Sequence, residues 1–345
     1  MRKRIVDMEI KKRILINTYD TAFQNKAGGV QNRIERTVKA IRNENVSVDY
    51  FDKFNTVIDQ YDVLHVFMLN VESYGLIKLA KAKGKKVVIS SIVTPSGKLQ
   101  LSFYWLIRRI PVMTTYKILF DICRLADSVI VETRREAEFI NKYYHVEQSK
   151  IHIIPNGADV VTSESKVIYE LIGKECEYAL EVGRFDSNKN QLSVIRALKN
   201  TDIEVVFIGG ASPSEPDYYE RCVKEANGAE NIHFLGWIDS KDDIIKSAYA
   251  NAKALISSSF YETFGLSIVE GAMAGNIPVV SRTLPILEHE VFKKCITFDP
   301  NDLDDIRKKT EYAMKQDKSL EFVKAITESF SWEKVANDHI GVYNQ

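Results

Sequence analysis

Cysteine is scarce in this sequence: Cys123, Cys176, Cys222 and Cys295 are scattered over 345 positions. They are far apart and show no metal-ligand spacing, which excludes a clustered metal site, so they read as small core residues of a reducing compartment. No apolar run is long enough to cross a bilayer, and Met1 to Arg13 is charged where a secretory signal would carry its apolar core. The expectation is a cytoplasmic protein. Neither sign of charge is in excess, with 47 Lys and Arg against 47 Asp and Glu. With no known base-reading module either, nucleic acid is not an expected partner. Internal repeats and low-complexity tracts are missing too.

What is present is an ordinary globular composition, 45% apolar and 27% charged, with enough length for two separate cores. The zero net charge hides an asymmetry. Residues 1–150 hold 26 basic and 16 acidic side chains, an excess of ten positive charges that the remainder cancels. A basic first half fits an anionic partner such as a phospholipid surface, a lipid diphosphate or an acidic glycan; attraction between two oppositely charged domains explains it equally. Short apolar runs alternate with helical periodicity. In the first half Arg13–Asn17, Val46–Phe51, Asp62–Phe67, Val87–Ser91, Asp127–Glu132 and Ile151–Ile154 read as strands. In the second, Tyr178–Val182, Glu204–Ile208, Ile232–Leu235, Ala254–Ile256 and Ile277–Val280 do the same. This alternation predicts an α/β chain of two doubly wound domains that hold ligands beyond the C-terminal ends of the strands. Pro155-Asn156-Gly157-Ala158-Asp159 breaks the pattern, and the polar run to about Lys174 reads as an interdomain linker.

Ser257 to Arg282 is the stretch with most chemistry in it. A buried strand passes through a polar turn into a periodic segment from Leu266 to Ala274, closed by Gly275. Glu262 lies before that helix and Glu270 inside it. Between them Phe264-Gly265-Leu266 offers backbone N–H groups at a helix N-terminus, where free donors and the dipole favour a phosphate. Two carboxylates flanking a phosphate cradle suit a molecule with hydroxyls and a diphosphate, such as a nucleotide sugar. Arg184 and Lys189 lie in another strand-to-helix loop, from which a guanidinium fork and an ammonium can reach one diphosphate.

Glu262, Phe264, Gly265 and Glu270 resemble the E-x-F-G-x-x-x-x-E pattern of the retaining glycosyltransferases of family 4, also called glycosyl transferases group 1. The resemblance continues through Val182-Gly183-Arg184 with Lys189, the Ile154-Pro155-Asn156-Gly157 hinge and Gly28-Gly29, and so spans nearly the whole chain. It implies a GT-B architecture, two Rossmann-like domains facing each other across a cleft: an acceptor-binding domain at 1–160, a nucleotide-sugar domain at 161–328, and a C-terminal helix at 329–345 returning to the first. It further implies a retaining, metal-independent transfer of a hexosyl unit from a nucleoside diphosphate sugar, expected to be a UDP-sugar, to a hydroxyl of a glycan or lipid-linked acceptor. Bacterial cell-surface polysaccharide or glycolipid synthesis is the expected setting.

By the same resemblance Arg184, Lys189 and Glu262 are the catalytic candidates. Gly28, Gly29, Ile238, Phe264, Gly265, Leu266 and Glu270 join them in donor binding, with Glu270 on the ribose and the Gly236-Trp237-Ile238 loop at the base. Taken alone, Gly28-Gly29 is better read as a tight turn than as a site. No cofactor and no metal are expected; Asp302, Asp304 and Asp305 have a D-x-D spacing but read as a helix cap. The sequence departs from the family where Ser91-Ile92-Val93-Thr94 replaces a donor-contacting histidine, which leaves Ser91 and Thr94 as candidate acceptor contacts. It departs again at Phe67, beside a His65 that reads as structural, at Asn190 in place of glycine, and at Arg282-Thr283-Leu284-Pro285. Residues 98–124 interleave aromatics with five basic side chains around Pro111. They fit a surface helix on an anionic membrane, or two amphipathic helices with basic outer faces. Rival readings are another GT-B enzyme, such as a nucleotide-sugar epimerase or a phosphorylase, and a non-catalytic sugar-nucleotide-binding subunit.

Overall fold

The computed structural model describes residues 12–24, 29–93, 97–239 and 242–345. The chain divides into two compact units, Met1–Gly157 with Trp332–Gln345, and Ala158–Ser331.

The first unit runs β1 (Arg13–Asn17), α1 (Gly29–Asn43), β2 (Ser47–Tyr50), β3 (Val63–Phe67), α2 (Tyr74–Ala82) and β4 (Lys86–Ser90). It continues with α3 (Lys98–Leu106), α4 (Thr115–Leu125), β5 (Ser128–Val131), α5 (Arg134–Tyr144) and β6 (Ile151–Ile153). All six strands are parallel, in the order β2-β1-β3-β4-β5-β6. Every residue of β3 and β5 is buried, as expected of strands covered by helices on both faces. The Thr114 and Thr133 side chains accept from the backbone N–H groups of Lys117 and Glu136, so α4 and α5 begin where their caps stand. A final helix, Trp332–Asn344, completes this unit: Val335, Ala336, Val342 and Tyr343 join Ile14, Ile16, Ile34 and Val38 in one core cluster. His65 is fully buried there, its ring nitrogens 2.8 Å from Tyr343 Oη and 2.9 Å from Ser90 Oγ, a structural role as its strand position predicts. Gly157 lies against the helix start, where a Cβ would come within 2.6 Å of the Trp332 ring.

The second unit runs α6 (Val167–Ile172), β7 (Tyr178–Val182), α7 (Gln191–Leu198), β8 (Glu204–Ile208), α8 (Pro216–Glu225), β9 (Ile232–Phe234) and α9 (Asp243–Asn251). Then come β10 (Ala254–Ser257), α10 (Leu266–Met273), β11 (Ile277–Ser281), β12 (Ile296–Phe298), α11 (Leu303–Met314) and α12 (Leu320–Phe330). Its parallel sheet has the order β12-β11-β10-β7-β8-β9. The helix α6 corrects the sequence reading of a linker reaching Lys174. Ile168 and Ile172 are buried in the unit's core, and Ser247 Oγ donates to the Ser165 carbonyl to anchor the segment. Six helical residues are too few for a 3.6-residue period to stand out from polar flanks.

Candidate functional site

The direction of strand order reverses between β7 and β10, which lie side by side with Ala254 opposite Ala179 and Leu255 opposite Leu180. In a doubly wound sheet the two loops leaving such a pair diverge and open a crevice. The loops here are the ones that carry Arg184, Lys189 and Glu262.

The β7–α7 loop is held at both ends. Its Phe185 side chain is buried against Phe207, Tyr219 and Phe234, and Phe185 N donates to Gly210 O. Gly209 has φ +152°, and a Cβ there would fall 1.9 Å from Gly183 O, so the loop depends on glycine at that position. Asn190 closes the loop in the left-handed conformation, φ 60°. Its amide donates to the carbonyls of Pro300, at 2.9 Å, and Ser258, at 3.3 Å. Asparagine suits this position because it tolerates the left-handed backbone and ties the loop to Ser258, just past β10, and to Pro300.

The β10–α10 loop is clamped to the first by Phe260 N donating to Asn188 O and by the Asn188 amide donating to Tyr261 O, at 2.8 and 2.9 Å. Thr283 Oγ1 donates to Phe260 O from the next loop, so the Arg282-Thr283 segment braces the site. Gly265, at φ 98°, turns the chain into α10, and no side chain caps that helix. A Cβ on Gly265 would also meet Ile268 Cδ1 at 2.9 Å. Phe264 is buried beside Phe330 and His289, so its side chain anchors the turn and only its backbone remains at the start of α10.

These clamps join Lys189 Nζ to Glu262 Oε1 in an ion pair, with Ser259 Oγ donating to the same oxygen at 2.9 Å. The pairing of a candidate diphosphate cation with a candidate sugar carboxylate is not visible in the sequence. Lysine has three donors, so two remain after Glu262 is satisfied. Arg184 is exposed on the same loop, and its side chain meets no carboxylate among the described residues. Glu270, one turn into α10, is partly buried and accepts from Tyr249 Oη at 3.0 Å. Ile238 is partly buried against the unit's core, while Leu266 and its neighbour-loop residue Trp237 are exposed.

Glu181 is the residue that sequence reasoning misses. It is buried on β7 behind the pair, and Ser258 Oγ lies 2.8 Å from its Oε1 and 2.6 Å from Lys189 O. A hydroxyl has one hydrogen, so both contacts are satisfied when Glu181 is protonated and donates to Ser258. Burial pushes its carboxyl up to about 8 against the pull of Ser258 and Lys189. The one signal in the sequence is a single acidic residue inside an apolar strand.

In the first unit, Gly28 and Thr94 lie outside the described residues, and Gly29 opens α1. Ser91 is buried, and its hydroxyl donates to Glu136 Oε1 at 2.5 Å, a tie to the framework of the first unit. Asp302 accepts from the N–H groups of Asp304 and Asp305 and so caps α11. Among the described residues no three His, Cys, Asp or Glu side chains cluster as metal ligands would.

Comparison with known proteins covers both units. The family model "Glycosyltransferase Family 4" matches residues 14–161, and "Glycosyl transferases group 1" matches 166–328. O-antigen chain mannosyltransferase B of Escherichia coli is 29% identical over 175 residues, 48% of this chain and 45% of that protein, so the alignment spans less than half of the relative. The processive diacylglycerol alpha-glucosyltransferase of Acholeplasma laidlawii is 25% identical over 68% of this chain and 70% of its own length. The structure of Anabaena HepE in complex with UDP superposes with a TM-score of 0.71 at 15% identity, covering 96% of this chain and 99% of that one. Matched in both halves and sharing the fold end to end, the chain belongs to glycosyltransferase family 4 and is a glycosyltransferase of the GT-B fold.

Proposed function

We propose that the protein transfers a hexosyl unit from a UDP-sugar to a hydroxyl of a glycan or lipid-linked acceptor, with retention of configuration and without a metal. The observation that carries this reading is the Lys189–Glu262 pair at the strand-order reversal, with Arg184 on the same loop and the uncapped start of α10 beside it. In the reaction the bond from the anomeric carbon to the diphosphate breaks, and its electron pair leaves with the phosphate. The acceptor oxygen attacks from the same face and its proton passes to the departing phosphate oxygen. Arg184, the two unspent donors of Lys189 and the first-turn N–H groups of α10 stabilise the charge that grows there; one such preorganised donor is worth about 3 kcal/mol. Glu262 accepts from sugar hydroxyls and Glu270 from the ribose.

Support for the donor comes from Anabaena HepE, solved with UDP, and for the acceptor class from relatives named as an O-antigen mannosyltransferase and a diacylglycerol glucosyltransferase. The basic first half and residues 98–124 fit work at an anionic membrane surface, at the cytoplasmic face. The test is a thermal-shift panel of UDP-, GDP- and ADP-sugars on the wild type, Arg184→Ala and Glu270→Ala. It is followed by release of the nucleoside diphosphate and assignment of the product anomer by NMR. A shift with a UDP-sugar that both substitutions weaken supports the reading. An inverted product, or transfer that fails without a divalent cation, defeats it.

A further inference from the structure

Away from the strand ends that carry the chemistry, the first unit contains a cavity of about 280 Å³. Its walls include Arg124 and Lys150, which stand just before β5 and β6, so it opens at the N-terminal edge of the sheet. Trp105, Arg108, Lys117 and His145 also line it. The His145 ring stacks on Trp105 with centroids 3.7 Å apart, and Arg108 lies over the same indole at 3.8 Å. Three of the cations here are held by neutral groups. Arg108 donates to Trp105 O at 2.7 Å, Lys117 to Ile110 O at 3.2 Å and Lys150 to Ala126 O at 3.3 Å. Among the described residues none of these three forms an ion pair, and Arg124 reaches Asp121 only at 3.4 Å. Asp121 and Glu147 share the wall, so four cations face two carboxylates.

A guanidinium and two ammonium groups, each with donors to spare, line a space just below the roughly 300–1,000 Å³ of sites for drug-sized ligands. Such a set suits a compact anion with several acceptor oxygens. Leu106, next to Trp105, is 77% exposed, and Ile110, Val112 and Met113 are exposed beside the carbonyl that Lys117 holds. We propose that this cavity binds a phosphoryl group, and that the group is the headgroup phosphate of an anionic lipid whose chains meet those apolar residues. The site stands on the cavity itself; its lipid source rests on the membrane reading above.

The test follows Trp105 emission in the intact protein, with Trp105→Phe as the silent control. Inorganic phosphate is titrated first, then vesicles of phosphatidylglycerol in phosphatidylcholine, then phosphatidylcholine alone. The proposal expects phosphate to change the emission, and Arg108→Gln with Lys150→Gln to weaken both phosphate and phosphatidylglycerol vesicles tenfold or more. Leu106→Ser with Met113→Ser should weaken vesicle binding and leave the phosphate titration unchanged. Phosphate binding without vesicle binding overturns the lipid source and keeps the site. Vesicle binding that the cation variant leaves intact, with no response to phosphate, overturns the site and leaves membrane docking standing. Equal binding to phosphatidylcholine alone overturns recognition of the headgroup charge.

Discussion

Replacing Glu181 by glutamine should remove a pH dependence from the stability of the second unit. Burial raises the folded carboxyl to about 8 from the ordinary value of 4.5, so the folded state holds a proton that the unfolded chain has lost. Stability from such a group is complete below pH 4.5 and disappears as pH rises through 8. One proton separates the two states in this window, so each pH unit below 8 is worth about 1.36 kcal/mol, and the loss between pH 6 and pH 9 comes to about 2.7 kcal/mol. Glutamine keeps the shape and can donate to Ser258 Oγ as the protonated acid does, and it does not titrate. The assay is urea unfolding at pH 6, 7, 8 and 9, read by fluorescence in a Trp105→Phe, Trp332→Phe background, so that Trp237 reports the second unit. The wild type should lose its advantage over Glu181→Gln steadily across that range. A difference that stays constant with pH would refute the reasoning, because Glu181 would then carry the same charge at every pH tested.

Other positions give sharper steric and electrostatic outcomes. Gly209→Ala places a Cβ 1.9 Å from Gly183 O, and should cost about 3 kcal/mol or more in urea unfolding. Asn190→Ala loses the amide ties to Pro300 and Ser258 and keeps a left-handed backbone; about 2 kcal/mol is expected. Asn190→Gly should recover the backbone part of that loss, and equal losses in both variants would show that the amide ties alone matter. In the first unit burial pulls His339 down to about 4, so the unfolded chain binds the proton first as pH falls. Stability present above 6.5 should decline toward pH 4 by about 3 kcal/mol, and His339→Gln should flatten the decline in acid unfolding followed by circular dichroism.

Most strands are legible in the sequence as short, largely apolar runs, the pattern that burial on both faces demands; β12, Ile296–Phe298, is only three residues long and offers no such run. Asp127–Glu132 and Ile277–Val280 fall within a residue of β5 and β11 for this reason. The loops are legible by residue type: Arg184, Lys189 and Glu262 stand out as charges beside glycines at strand ends. What no linear pattern carries is the contact across 73 residues that pairs Lys189 with Glu262, or the tie from Asn190 to Pro300 across 110. Ser91 looks free for an acceptor in the sequence because its partner Glu136 lies 45 residues away, on α5. Glu181 escapes notice because an acidic residue in a strand reads as an edge position until burial shows otherwise.

The helix Trp332–Asn344 has a consequence for the order in which the chain takes shape. It contributes Tyr343 to a contact with His65 that closes 278 residues of sequence. During synthesis the second unit is finished at Ser331, while the first still lacks one wall of its core. The half that leaves the ribosome first is therefore the half completed last. Until residues 332–345 emerge, Ile34, Val38 and their neighbours present an uncovered apolar surface, an opening for chaperones and a hazard for aggregation. A chain stopped at Ser331 should yield a sound second unit joined to an unfinished first.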